Sequence, residues 1–337
     1  MVTLKDIAKA CNVSVATVSI VLSNRPHRFS SSTVSRVIET ANAMNYVPNT
    51  FAQSLVTKRT RIIGLLVPDV NNVFFLDFIT EAERVAKKRG YTVVLVNSEN
   101  DALEELNNYK TFIARRFDAT IILRASLNYV EGTQELTKFA NKYKMPTLCM
   151  CRNVRGSSVL NVYNDEILGS YLAGKHLIET GHKKIGFIGG PYDVSFGQLR
   201  LDGFLKALNE AQYSNDQYVV VEGDFTYQSG TEKAKLLLEH GCDAIYAAND
   251  MMAIGAYQAV IEAGKAIGDD VSIIGYDDIR FGSMLIPSLT TIHQPMRAMA
   301  DEGVSALIDF VEGTRVEPFE KQYEPSLVTR KSVKART

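Results

Sequence analysis

The sequence predicts an α/β protein: an N-terminal three-helix helix-turn-helix domain with a short joint, followed by two doubly wound parallel-sheet subdomains. Three observations predict it. Residues 1–60 carry seven basic and two acidic groups, a net +5, whereas the remainder carries 30 basic and 36 acidic groups, a net -6. Apolar residues recur at helical spacing through the first 46 positions. From Arg61 onward, short apolar runs alternate with helical stretches, a pattern that builds parallel sheets covered by helices. A chain of 337 residues is also too long for one hydrophobic core.

Composition narrows the class. The charged fraction of 22% and apolar fraction of 46% are ordinary for a globular protein. No apolar run is long enough to span a bilayer, so no membrane partner is expected. The start, Met1-Val2-Thr3-Leu4-Lys5-Asp6, lacks the apolar stretch of a secretory signal. Cys11, Cys149, Cys151 and Cys242 are scattered, with no zinc-type spacing, and are expected to be reduced thiols in a cytoplasmic protein. No metal or other cofactor is implied. A basic end on an acidic body points to a polyanionic partner for the small end.

Thr3 suits an N-cap, and Asp6 favours the positive end of the helix it opens. Leu4, Ile7, Ala8 and Cys11 share one helical face. Asn12 tolerates the left-handed conformation of a tight turn. Ser14 caps a second helix with Val18, Val21 and Leu22 as its apolar positions. A third helix follows Ser30-Ser31-Ser32, with Val34, Val37, Ile38 and Ala41 as its inner face. Two short helices across such a turn place the second in a major groove. Val15, Ala16 and Ile20 can offer apolar contacts to thymine methyls, while Thr17 and Ser19 can bond phosphates or base edges. A three-helix module that binds protein is the alternative at this point.

The next stretch, Asn45 to Arg59, is short, weakly amphipathic and marginal as an isolated helix in water. It reads as a joint. In the body, strands are expected at Ile62–Val67, Thr92–Val96, Ala119–Leu123, Thr147–Met150, Lys184–Ile188, Tyr218–Val221, Ala244–Ala247 and Val271–Gly275. The helix from Phe78 to Arg89 should end at Gly90. Ligands of doubly wound sheets bind beyond the carboxyl ends of strands. The loops there carry Asn71, Asn72, Phe74 and Phe75, then Phe196 to Phe204, then Phe225, Asn249 with Asp250, and Asp277. Gly186-x-x-Gly189-Gly190 lacks dinucleotide spacing and reads as a turn. Asp250 serves equally as a helix cap or a ligand contact.

Thr3-Leu4-Lys5-Asp6-Ile7-Ala8, Val13-Ser14-Val15-Ala16-Thr17-Val18-Ser19, Asn45-Tyr46-Val47-Pro48-Asn49 and Ala52-Gln53-Ser54-Leu55 occur in order. Together they resemble the lactose-repressor/galactose-repressor family of bacterial transcription regulators. The resemblance runs on through Leu199-Arg200-Leu201-Asp202-Gly203-Phe204, Ala248-Asn249-Asp250, Gly275-Tyr276-Asp277-Asp278 and Thr290-Thr291-Ile292-His293-Gln294-Pro295. It implies a helix-turn-helix domain over 1–46 and a hinge over 47–60. A periplasmic-binding-protein-like domain is implied over 61–337. Its N-subdomain would cover about 61–160 and 291–320, its C-subdomain about 161–290 and 321–337. The hinge helix would pair with its dimer mate in the minor groove, with Leu55 as a wedge between base steps.

The resemblance thus implies a homodimeric repressor that binds a pseudo-palindromic operator in double-stranded DNA. A sugar-like small-molecule effector would control it. The candidate DNA contacts are Thr3, Ser14, Val15, Ala16, Thr17, Ser19, Ile20, Asn24, His27, Asn49, Gln53 and Leu55. The candidate effector contacts are Asn72, Phe74, Phe196, Arg200, Phe225, Asn249, Asp277 and Gln294. Arg200, Asp277 and the amides can bond sugar hydroxyls in pairs, and an aromatic face can cover the ring.

Two residues depart from the family. Ile20 stands where an arginine is usual, so the half-site should differ at the base pair that arginine reads. Cys151 replaces an aspartate before Arg152, which removes a hydroxyl acceptor and points away from a typical hexose. His176 and His293 lack a catalytic partner in sequence and are expected to be structural. No leucine heptad follows Ser326, so no tetramer tail is expected. A protein corepressor is left open as a further partner. The rival readings are a sugar-binding transport protein and a sugar-modifying enzyme on the same frame. Against the enzyme, the sequence has no phosphate-binding loop, triad or metal cluster.

Overall fold

The structure, a computed structural model, describes residues 2–22, 29–48, 58–123, 131–150, 156–191 and 195–336. The chain divides into two compact units, Met1–Thr60 and Arg61–Thr337.

The small unit holds helices α1 (Leu4–Cys11), α2 (Val15–Leu22) and α3 (Ser31–Ala43). Thr3 and Asp6 form a capping box, in which the Asp6 carboxylate accepts from the Thr3 amide at 2.9 Å. Asn12 ends α1 in the left-handed region at φ 53°, which turns the chain into α2. Ser30 caps α3 by accepting from the Thr33 amide. Ile7, Ala8, Cys11, Val18, Val21, Val37 and Ala41 form the core, with Leu4, Leu22, Val34 and Tyr46 against it. Ile38 corrects the expected inner face of α3, because it is 43% exposed. Helix α3 buries the line through Val34, Val37 and Ala41, and Ile38 is turned about 100° away from Val37 around the helix.

The large unit contains twelve strands among its described residues. A six-stranded parallel sheet takes β1 (Ile62–Val67), β2 (Thr92–Asn97), β3 (Ala119–Ile122), β4 (Thr147–Met150), β5 (Val159–Asn164) and β11 (Glu320–Tyr323), in the order β11-β5-β4-β3-β1-β2. A four-stranded parallel sheet takes β6 (Ile185–Gly189), β7 (Tyr218–Glu222), β8 (Ala244–Ala247) and β9 (Ser272–Ile274), in the order β7-β6-β8-β9. Strands β10 (Thr291–His293) and β12 (Ser326–Val328) pair antiparallel. The two larger sheets have separate apolar cores, one around Leu65, Ile121 and Leu148, the other around Phe187, Ile245 and Tyr246.

Three expectations change here. Strands β5, β10, β11 and β12 are additional to those read from the sequence. Their pairing moves the crossings: Val162 and Tyr323 lie in the six-stranded sheet, and Thr291 pairs with Val328 beside the other. The expected breaks at 160, 291 and 320 are therefore a few residues off. Gly186 and Gly189 lie within β6 rather than in a turn. At Gly186 a Cβ would meet the Leu237 side chain at 2.6 Å, so the glycine lets a helix approach the strand.

Candidate effector cleft and DNA-facing helix

Strands end where the binding groups begin. Asn72, Phe74 and Phe75 follow β1, Phe225 follows β7, Asn249 follows β8 and Asp277 follows β9. Phe196 and Arg200 lie on helix Ser195–Glu210, and Glu166 opens helix Glu166–Glu179. These nine residues line one cleft. Its walls therefore come from loops of the six-stranded sheet on one side and of the four-stranded sheet on the other, as expected at the carboxyl ends of parallel strands.

Arg200 is the centre of this wall. Its Nε donates to Glu166 Oε2 at 2.8 Å, and its Nη1 donates to the Ala248 carbonyl. Asp277 Oδ1 is 3.8 Å from Nη1. The guanidinium lies 3.8 Å from the ring centre of Tyr276 and 5.5 Å from that of Phe196. Burial opposes the Arg200 charge, but Glu166, then Tyr276 and Asp277, outweigh it and raise the pKa. At Asp277 burial wins. It drives the carboxyl pKa well above its ordinary value, against the pull of Arg200. Gln294 does not line the cleft. Its Nε2 donates to Asp277 Oδ1 at 2.7 Å, and its Oε1 accepts from Asn164. Gln294 thus orients a wall residue from behind.

Asn249 is held at both ends of its amide. Oδ1 accepts from the Met252 amide at 2.9 Å and Nδ2 donates to the Phe225 carbonyl at 3.0 Å. Asn249, not Asp250, therefore caps helix Asp250–Glu262. Asp250 is fully buried, accepts from Thr291 Oγ1 at 2.6 Å and from the Ile279 amide at 2.8 Å, and is absent from the cleft lining. Both halves of its expected role are corrected. Phe225 and Asp277 sit at φ 67° and 119°, conformations that side chains rarely adopt. Gly190 makes room for the Phe225 ring, since a Cβ there would lie 1.9 Å from it.

Seven of the eight candidate effector residues thus meet in one place. Two wall residues stand outside the candidate effector contacts. Phe75 reads as an aromatic of the strand-end loop but is not named as a contact. Glu166 carried no sequence signal, because an acidic first-turn residue reads as a partner for the helix dipole. Cys151 and Arg152 lie outside the described residues. His293 Nδ1 bonds Asp278 Oδ2 at 2.9 Å, and Asp278 also pairs with Arg330.

At the start of α2, Ser14 just before it and Val15, Ala16 and Ser19 on it are exposed, while Thr17 and Ile20 are half-buried. Ser14 Oγ accepts from the Thr17 amide at 3.0 Å and shares a hydrogen bond with its hydroxyl. Thr3 Oγ1 donates to Asp6 at 2.7 Å. Asn24, His27, Asn49, Gln53 and Leu55 lie outside the described residues. The exposed start of α2 is short-chained and uncharged, a surface able to enter a groove closely.

Comparison with known proteins agrees with both units. Residues 3–49 match bacterial regulatory proteins of the lacI family, and residues 175–333 match a periplasmic binding protein-like domain. The chain is 33% identical to the HTH-type transcriptional repressor PurR of Aliivibrio salmonicida over 335 residues, covering 99% of each chain. It is 33% identical to the ribose operon repressor of Escherichia coli K12, covering 98% of this chain and 100% of that one. A crystal structure of the lac repressor dimer bound to operator and the anti-inducer ONPF superposes with a TM-score of 0.85 at 29% identity, covering 99% of each chain. Matched along nearly its whole length by repressors, and carrying both the helix-turn-helix unit and the binding-protein-like body, this chain belongs to the lacI family of bacterial regulatory proteins and is a DNA-binding transcriptional regulator.

Proposed function

We propose that the chain acts as a homodimeric repressor whose operator affinity is set by a sugar-like ligand in the cleft around Arg200. The observation that carries this is the convergence of one guanidinium, two carboxylates, two amides and four phenylalanine rings in a single cleft. Polar groups that bond hydroxyls in pairs, with aromatic faces against the ring, are the usual composition of such sites. The relative that represses a ribose operon supports a sugar as the ligand class.

DNA contact is assigned to the start of α2, with Ser14, Val15, Ala16 and Ser19 toward base edges and Thr17 beside a phosphate. Ile20 replaces a guanine-reading side chain with an apolar one. Pairing of two copies is supported by an exposed apolar segment in which Phe281, Met284 and Ile286 are 38%, 67% and 93% exposed. Two half-sites read by a dimer require a pseudo-palindromic operator.

Selection of the full chain on random duplex DNA should enrich a palindrome, and a sugar panel should shift its melting temperature. Repeating the panel with operator present gives the sign of the coupling. Enrichment of no palindrome would sink the repressor reading for this chain.

A further inference from the structure

Two carboxylates face one guanidinium in this cleft. Glu166 and Arg200 are each about 5% exposed at the side chain, and Asp277 is 6% exposed. No other ionisable side chain lines the cleft among the described residues, so two carboxyl groups and one guanidinium make up its titratable wall. The guanidinium is also largely committed. Nε is taken by Glu166, Nη1 by the Ala248 carbonyl, and one face is covered by Tyr276. Asp277 accepts from Gln294 through Oδ1, which leaves Oδ2 as its second acceptor. Four phenylalanines, Phe74, Phe75, Phe196 and Phe225, supply the rest of the wall, with the Phe196 and Phe225 rings 5.4 Å apart.

We propose that Glu166 sets the charge preference of this cleft, so that it takes a ring ligand bearing a protonated amine in preference to one bearing a phosphate or carboxylate. The inference rests on the cleft being the effector site. Without Glu166, Arg200 would present its Nε edge to the ligand, the geometry that binds phosphate and carboxylate in pairs. Glu166 occupies that edge from within the protein. Arg200 keeps Nη2 for a ligand hydroxyl. The second carboxyl oxygen of Asp277 is an acceptor for an ammonium, whose charge would draw that buried carboxyl back to its ionised form. Phenylalanine faces attract a desolvated cation and add nothing for an anion.

The test is a calorimetric panel on the full-length chain: D-glucose, D-glucosamine and D-glucose 6-phosphate, with D-galactose, D-galactosamine and D-galactose 6-phosphate, and D-ribose with D-ribose 5-phosphate. Within a series, the amine should bind at least tenfold tighter than its neutral parent, and the phosphate at least tenfold weaker. In Glu166→Gln, which still accepts from Arg200 Nε, the amine advantage should shrink and the phosphate should gain at least tenfold. A phosphate that binds the wild-type chain as tightly as its parent, or an amine with no advantage, overturns the proposal, and neither result touches the cleft's role as effector site. Binding by no member of the panel overturns the sugar reading of the cleft, and this inference with it.

Discussion

Asp250 is a single carboxylate sealed behind the cleft, and burial pushes its pKa up to about 7 although Thr291 and the Ile279 amide both donate to it. An unfolded aspartate titrates near about 3.9. Between about pH 4 and 7 the folded chain therefore holds a proton that the unfolded chain has released, so stability falls as pH rises through that window. The contribution is fully present below about pH 4 and lost above about pH 7. Asp250→Asn cannot ionise, and its amide can accept only through one atom, so it costs about 1–3 kcal/mol at pH 5. The gap between wild type and variant should narrow as pH rises from 5 to 8, measured by urea unfolding. A gap constant with pH would refute the buried-proton account.

At the scale of elements, the ion pair of the cleft depends on how closely two helices approach. Helices Glu166–Glu179 and Ser195–Glu210 meet at Gly203, where a Cβ would lie 2.3 Å from the Ile167 carbonyl and 2.9 Å from Ser170 Cβ. Ser170 also donates its hydroxyl to the Arg200 carbonyl. Ile167 follows Glu166, and Gly203 lies one turn beyond Arg200, so this contact fixes the distance across which Glu166 reaches the guanidinium. Gly203→Ala must push the helices apart, at a cost of about 1–3 kcal/mol in a packed core. Calorimetry should then show ligand affinity reduced by at least tenfold. Unchanged affinity would mean that the helix spacing does not set the site.

The same scale shows what the sequence could reveal. Buried central strands such as β1, Ile-Ile-Gly-Leu-Leu-Val, announce themselves as apolar runs. Strand β11, Glu-Lys-Gln-Tyr, does not, because an edge strand is held by backbone pairing with β5 and only Tyr323 in it is buried. Strands β10 and β12 are three residues each, too short for a periodic signal. The cleft was legible where its residues follow apolar runs, as Phe74, Asn249 and Asp277 do. Glu166 was not. Its partner lies 34 residues away, and only the packing of two helices joins them.

For the whole molecule, the small unit and the body have separate cores, so the stretch between them can be altered without removing either core. Leu55 stands in that stretch, at the position assigned to wedge a base step. Unstacking one step costs a few kcal/mol, which the wedge and the contacts of a bent duplex must offset. Leu55→Ala should therefore weaken operator binding by at least tenfold, about 1.4 kcal/mol, in a fluorescence titration. Its melting temperature and its ligand affinity without DNA should match wild type. Coupling is reciprocal, so a ligand that changes operator affinity by some factor must have its own affinity changed by that factor when operator is bound. If the hinge transmits that coupling, the factor shrinks toward one in Leu55→Ala, read from ligand titrations with and without saturating operator. A variant that loses operator affinity but keeps the full coupling factor would place transmission elsewhere in the chain.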